Sequence, residues 1–413
     1  MAWRSWFWSR VLPVALAGAW LAACGGGGAG SGSEGGVATW RVSDAAVADI
    51  DGDGRNEVLG VAAFSPVQGA DTGELRVFRS GAAQPDRYSF GDFPWRMTLG
   101  DVDGDGAIDV LVTDVDARAI WYLRQDPNDR GRFLAARMLA SGIHSMQVAL
   151  VDATGDDVPD IVATDQDASA RGLRVYAQDP TRRGEFAAPV DLALPARATA
   201  IVAGDVDGDT RPDLLVYLQS VGGVASSYAF GVLMQTAPGR FAPLETMAPQ
   251  TGVDARRLLL GDYDRDGRTD VLAYLSPSRF ASDRSKVVTI RQGPGGLFGP
   301  PVDTLLADIE QGDDAHFADL NDDGALDMAI GGIGLRDGEL RARVHLYQQD
   351  GAGAFTRIAQ VAPQFGVGIL AAGDFDGDLR VDLAMLGDEH HCKMYLQSTT
   401  VPGAFDRASF LPD

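Results

Sequence analysis

Cysteine is nearly missing from this chain of 413 residues: Cys24 and Cys392 are the only two. Two cysteines exclude a disulfide scaffold. Lysine is equally scarce, with only Lys286 and Lys393, so almost all positive charge is arginine. Against 35 basic residues stand 58 acidic ones, giving a formal net charge of −23. Nucleic acid and anionic membrane are poor partners for such a chain, because phosphate binding needs clustered Lys and Arg. Long apolar runs are absent as well. The longest, Val11 to Ala23, is shorter than the ~20 residues that span a bilayer comfortably. With 45% hydrophobic residues there is still ample material for a core, which excludes wholesale disorder.

The short apolar run follows Arg4 and Arg10, as the h-region of a secretory signal follows its n-region. It ends in Leu21-Ala22-Ala23-Cys24, which resembles the bacterial lipoprotein processing motif. The resemblance implies cleavage before Cys24 and lipidation of that cysteine. Gly25 rather than Asp follows it, which by the same resemblance implies outer-membrane sorting in a Gram-negative cell. Residues 25–36 are almost all Gly and Ser. A flexible coil of this length has an end-to-end distance of about 19 Å, enough to hold a body clear of a membrane surface. The expected organisation is a signal peptide at 1–23, a lipidated Cys and tether at 24–36, and one folded body at 37–413.

That body is periodic. The pattern D-x-D-x-D-G-x-x-D recurs seven times, starting at Asp49, Asp101, Asp152, Asp205, Asp262, Asp319 and Asp374, about 54 residues apart. Ca²⁺ takes 6–8 oxygen ligands, and a tightly wound loop supplies them from side chains at positions 1, 3, 5 and 9 and a carbonyl at position 7. Loop one offers Asp49, Asp51, Asp53, the Arg55 carbonyl and Glu57. Loop two offers Asp101, Asp103, Asp105, the Ala107 carbonyl and Asp109. Loop three has Asp152, Thr154, Asp156, the Val158 carbonyl and Asp160. Loop four has Asp205, Asp207, Asp209, the Arg211 carbonyl and Asp213. Loop five has Asp262, Asp264, Asp266, the Arg268 carbonyl and Asp270. Loop six has Asp319, Asn321, Asp323, the Ala325 carbonyl and Asp327. Loop seven has Asp374, Asp376, Asp378, the Arg380 carbonyl and Asp382. Loops two and five match at every position. Loops three, four and seven carry Asp157, Thr210 and Leu379 where the sharp turn favours glycine. A left-handed backbone costs such residues roughly 1–2 kcal/mol.

An EF-hand would need a glutamate at position 12 and flanking helices. Position 12 here is Gly60, Val112, Ala163, Val216, Ala273, Ile330 or Met385, and short apolar runs flank each loop. Such runs read as buried strands joined by the loop. A third strand follows and ends near a Gln: Gln125, Gln178, Gln235, Gln292, Gln348 and Gln397. A turn then leads to Gly-x-Phe, whose Phe (133, 186, 241, 298, 355 and 405) is expected to open a fourth strand and to pack between units. The first unit lacks this feature. Four antiparallel strands repeated seven times describe an all-β, seven-bladed β-propeller with calcium loops between first and second strands. Whether Val37 to Val42 pairs with the last unit to close the ring is left open by the sequence.

These units resemble the FG-GAP/VCBS repeats of bacterial surface proteins and of the integrin α-subunit propeller. The resemblance covers residues 37–413 and rests on the acidic loops and Gly-x-Phe. It implies Ca²⁺ in the loops and an extracellular adhesive role, with a protein or glycan ligand met on the opposite face. Residues expected near the channel mouth on that face are Trp95, Arg96, His144, Arg197 and Arg256. Arg and aromatic residues are favoured at binding hot spots, though capping or plugging the channel is the plainer role for them. His390-His391-Cys392 offers no fourth ligand and alternates faces on a strand, so no metal site is assigned there. With only five histidines, in different registers, the sequence offers no convergent acid/base set. The expected function is therefore a lipid-anchored, calcium-stabilised binding protein without catalysis. A polysaccharide lyase or hydrolase, or a structural subunit of an envelope complex, are the alternatives.

Overall fold

The computed structural model describes residues 39–411 except 66–70, 83, 168–171, 220–226, 252, 278–283, 295, 307–308, 310, 337–338, 351–352, 362–368 and 387–391. Cys24 and the tether, Val37, and the His390-His391 pair lie outside the described residues.

Seven four-stranded antiparallel sheets follow one another along the chain, each in simple sequence order. Blade one consists of Thr39–Ala48, Glu57–Ser65, Thr72–Phe78 and Asp86–Phe90. The innermost strands of the next six are Pro94–Gly100, Val148–Val151, Arg197–Gly204, Val253–Gly261, Gln311–Ala318 and Ile369–Gly373. Each innermost strand touches the next, and the last touches the first, so the blades form a closed seven-bladed propeller. Second strands such as Asp109–Asp114 and Asp160–Asp165 are buried along their whole length, which explains their unbroken apolar runs.

The chain closes the ring without exchanging a strand. Val42 pairs with Ala62 inside blade one, and blade seven is made entirely of residues between Ile369 and Leu411. The core lies between blades. One apolar cluster joins Trp40, Val58 and Phe78 of blade one to Ile369, Phe375 and Leu386 of blade seven. Phe133 of blade two packs against Ile50 and Leu59 of blade one, as expected of the Gly-x-Phe residues.

Two strand expectations need correction. Phe133, Phe186 and Phe298 do not open a fourth strand; each makes one isolated bridge to the preceding Gln, and the strand begins later. Phe241 lies in a small extra hairpin, while Phe355 and Phe405 do start their strands. In blade six the residue equivalent to the other glutamines is Gln349, whose bridging N–H role Gln348 does not share.

Candidate metal loops and the central plug

All seven acidic loops share one backbone shape. Position 4 has positive φ in each: Gly52, Gly104, Gly155, Gly208, Arg265, Asp322 and Gly377, between 61° and 82°. Position 6 does too, and Asp157, Thr210 and Leu379 adopt φ of 62°, 72° and 69° despite their side chains. The loops lacking the turn glycine therefore keep the fold of the others. The reason is a repeated hydrogen-bond set. The position-1 Asp accepts from the position-6 N–H in all seven loops, at 2.7–3.1 Å. The position-5 Asp accepts from the position-7 N–H in all seven, at 2.8–3.1 Å. The sequence reading placed a glycine requirement at position 6 only. The second, at position 4, was legible too, since five of the seven loops carry Gly there.

Among the described residues, five groups bring three carboxylates within 4.8 Å of one another: Asp49-Asp51-Asp53, Asp101-Asp103-Asp109, Asp205-Asp207-Asp213, Asp262-Asp264-Asp270 and Asp374-Asp376-Asp382. Loops three and six, with Thr154 and Asn321 at position 3, are not among them. Asp101 Oδ1 and Asp264 Oδ1 are buried without a hydrogen-bond partner. Both belong to the loops that match the pattern completely. An all-oxygen donor set with unpaired buried carboxylate atoms fits a hard divalent cation.

Electrostatics agrees. Burial pushes Glu57 and Asp109 up to about 7, and Asp327 and Asp382 up to about 6, with neighbouring loop carboxylates adding to each shift. Arginines partly offset the crowding. Arg79 reaches Asp51 at 3.1 Å, Arg124 reaches Asp103 and Asp105 at 2.5 and 2.9 Å, and Arg380 reaches Asp378 at 2.6 Å. Arg211 and Arg268 pair with Asp209 and Asp266 in the same way.

Five of the seven loops, one to four and six, are framed by the following blade. The Gln that ends the third strand donates its backbone N–H to the position-9 carboxylate of its own blade, as Gln125 does to Asp109 at 2.7 Å. Its side-chain amide crosses to the position-2 carbonyl of the previous blade's loop. Gln125 binds Ile50 O, Gln178 binds Val102 O, Gln235 binds Ala153 O, Gln292 binds Val206 O and Gln397 binds Leu320 O, at 2.5–3.1 Å. Only the Gln349 amide has no partner among these. The Gly of Gly-x-Phe lies over the same loop. A methyl group at Gly131 would stand 2.7 Å from Asp51 Cβ, and Gly184 and Gly403 approach Asp103 and Asn321 likewise. The repeated Gln and Gly thus mark contact with a neighbour's loop, which sequence alone did not reveal.

A contrast between two of these glutamines is testable. Gln178→Leu strands Val102 O, Pro159 O and the Gly184 N–H, which Gln178 now satisfies. An unsatisfied buried polar group costs about 1–3 kcal/mol, so the loss should be at least about 2 kcal/mol in urea unfolding. Gln349→Leu removes no side-chain bond and relieves two buried unpaired polar atoms, so it should be neutral or stabilising by up to about 2 kcal/mol.

The opposite end of the ring carries a buried polar plug. Five residues before each loop stands one inner-strand position: Asp44, Arg96, Gln147, Ala200, Arg257, Asp314 and Ile369. A β-bulge immediately precedes it in five blades. Asp44 Oδ2 accepts from Met97 N at 2.8 Å, Gln147 Oε1 from Ile201 N at 3.3 Å, and Asp314 Oδ2 from Leu370 N at 3.1 Å, each in the next blade. Arg257 pairs with Asp314 at 3.1 Å, donates to Ala315 O at 2.5 Å and contacts His316. Arg96 crosses the channel to donate to Arg256 O at 3.1 Å. Burial pushes Asp44 up to about 7 against the pull of Arg257 and Arg96. Burial and Arg257 depress the His316 imidazole below its ordinary value, against the pull of Asp314. Burial raises Asp314, but Arg257 and His316 outweigh it and leave the carboxyl below its ordinary value.

Of the five residues expected near the channel mouth, Trp95, Arg96 and Arg256 are therefore buried. His144 and Arg197 are half-buried and remain partly reachable. The sequence reading missed Asp44, Arg257, Asp314 and His316. Asp44, Arg257 and Asp314 share an offset of five residues from their loops, the signal that would have found them.

With this geometry established, the comparisons with known proteins fall into place. The model of the FG-GAP-like repeat matches residues 101–163 and 158–216, which run from loop two to the second strand of blade four. The chain carries FG-GAP-like repeats arranged as a seven-bladed propeller. No curated protein matches it. Similar solved structures include the Dos1 propeller, at 11% identity over 85% of this chain and 81% of that chain, with TM-score 0.47. A candidate 6-phosphogluconolactonase from Bacteroides uniformis is similar at 13% identity over 84% and 96%, TM-score 0.47. A protein from Lactobacillus plantarum is similar at 12% identity over 76% and 82%, TM-score 0.40.

Proposed function

We propose that this chain is an exported, lipid-anchored binding protein of the bacterial cell envelope, stabilised by Ca²⁺ and without catalytic activity. The observation that carries the reading is the set of seven acidic loops with one shared backbone shape. A propeller with FG-GAP-like repeats serves as a binding or structural scaffold. Its loops supply the carboxylates and carbonyls that a hard cation takes, and Ca²⁺ is the cation whose flexible coordination suits a loop of this type. Bound Ca²⁺ would cancel the like charges that the loops crowd together.

The ligand, a protein or a glycan, is met on the face opposite the loops. Of the five candidate residues there, the partly exposed His144 and Arg197 remain available to it. Of the 58 acidic residues, 26 stand at loop ligand positions. Nearly half of the chain's acidity thus sits at the metal end, and an acidic glycan is an acceptable partner at the other.

Cys24 and the Gly/Ser segment supply the anchor. Cys24→Ser should move the protein from the membrane fraction to the soluble envelope fraction, with loss of lipid mass from the N-terminal peptide. Wild-type protein that fractionates as soluble and carries no lipid would contradict the anchor while leaving the metal reading intact.

A further inference from the structure

We propose that the propeller is latched at one metal-dependent seam, between blades one and seven, where Asn56 of loop one grips Asp374 of loop seven. The gating part of this proposal rests on the reading of the loops as calcium sites.

The seam lacks what ties the other blades. At five of the other six junctions the Gln amide of one blade holds the preceding loop; between blades five and six, where the Gln349 amide has no partner, Arg257 crosses instead to Asp314 and Ala315 O. Blade one has neither this Gln nor the Gly-x-Phe turn: its third strand ends at Phe78 and leads into Arg79-Ser80-Gly81. Loop seven is consequently not framed by the usual pair. Inner-strand ties are missing there as well. Side chains of Asp44, Thr98, Gln147, Arg257 and Asp314 bond backbone groups in the following blade. At the corresponding position blade seven carries Ile369, whose side chain can neither donate nor accept; blade four, with Ala200, shares this lack but keeps the Gln292 tie to its loop.

What replaces them comes from loop one itself. Asn56 donates its backbone N–H to Asp374 O at 2.7 Å, and its side-chain Oδ1 accepts from Asp374 N at 3.2 Å. Both hydrogen bonds cross the seam. The Arg55 side chain lies over Gly377, where a methyl group would meet it at 3.2 Å. Asn56 is position 8 of loop one, next to Glu57, and Asp374 is position 1 of loop seven. Both halves of the latch therefore belong to acidic loops. Crowded carboxylates without a cation repel one another and loosen both loops; a bound cation fixes both and so holds the latch. The other junctions keep ties that do not run through two loops at once.

The test is hydrogen–deuterium exchange by mass spectrometry on the mature chain, with native mass spectrometry to count bound ions. In wild type, chelation should speed exchange in Thr39–Ala48 and Ile369–Gly373 about tenfold more than in Val148–Val151 and Arg197–Gly204. Asn56→Ala should speed exchange at the same seam strands in saturating Ca²⁺, with the number of bound ions unchanged. Gln292→Ala, at the junction of blades four and five, should leave the seam as in wild type. Uniform exchange around the ring in a chain that binds Ca²⁺ would overturn the latch alone. A chain that binds no Ca²⁺ would overturn the calcium reading and the gating with it. In that case seam exchange in Asn56→Ala equal to wild type would overturn the latch as well.

Discussion

Chelation with EDTA is expected to lower the melting temperature by about 10 °C, and millimolar Ca²⁺ should restore it. A ligand at ten times its dissociation constant stabilises the folded state by about 1.4 kcal/mol per site. Five sites, the number of three-carboxylate groups in the structure, amount to about 7 kcal/mol. For a body of some 370 residues the unfolding entropy converts each kcal/mol into about 1.3 °C. Extracellular calcium modules bind in the range of about 10⁻⁴–10⁻³ M; Mg²⁺, which demands octahedral geometry and gives up its water reluctantly, should restore far less at the same concentration. Differential scanning calorimetry in the two buffers reads the effect. An unchanged melting curve would remove calcium from the account.

The second large effect is a reversal of pH dependence on metal loading. In the metal-free chain Asp44, Glu57 and Asp109 are raised to about 7, and Asp327 and Asp382 to about 6. A carboxyl whose folded pKa lies above its unfolded value binds its proton more tightly when folded. Its stabilising contribution is fully present below about pH 4 and is lost as pH rises through the folded pKa. The metal-free protein should therefore gain stability as pH falls from 7 to about 5. Each pKa unit is worth about 1.4 kcal/mol, so one unit realised at each of the five carboxyls gives about 7 kcal/mol. The calcium-loaded protein should behave oppositely, because protons compete with the ion for Glu57, Asp109, Asp327 and Asp382. Asp44 lies in the plug, five residues before loop one and outside its ligand positions, and contributes the same sign in both states. Melting temperatures measured from pH 5 to 7.5, with and without Ca²⁺, should cross. Parallel profiles would contradict the assignment of these carboxylates as ligands.

Much of this was legible in the sequence because the period was strict. Seven copies of an acidic loop between apolar runs define four strands per blade and the face on which the loops lie. Loop shape was legible less completely. Thr210 and Leu379 read as breaks in the pattern, yet their loops close like the rest, since Asp205 and Asp374 hold the position-6 N–H at 2.9 and 2.7 Å. A penalty of roughly 1–2 kcal/mol is small beside a complete set of hydrogen bonds.

The neighbours were not legible. Gln125 and Gly131 recur at fixed places in the period, but nothing in the period says that they serve the loop of the preceding blade. That relation is set by how blades pack around the ring. The channel plug was hidden for a related reason. Asp44 and Arg257 lie more than two hundred residues apart and meet because both occupy one register of an inner strand. For Arg96 and Arg256 composition left binding open beside the plainer role of plugging the channel; their place in the ring makes them part of the plug. Asn56 sits in an irregular first unit, whose departure from the repeat becomes meaningful once the ring brings it against Asp374.

The most direct measurement is the number of Ca²⁺ ions bound per chain, by native mass spectrometry or equilibrium dialysis of the metal-stripped protein. Five to seven ions, falling by one in Asp264→Ala, is the result predicted by the loop geometry. No bound ions at millimolar Ca²⁺, or a number unchanged by that substitution, would contradict it.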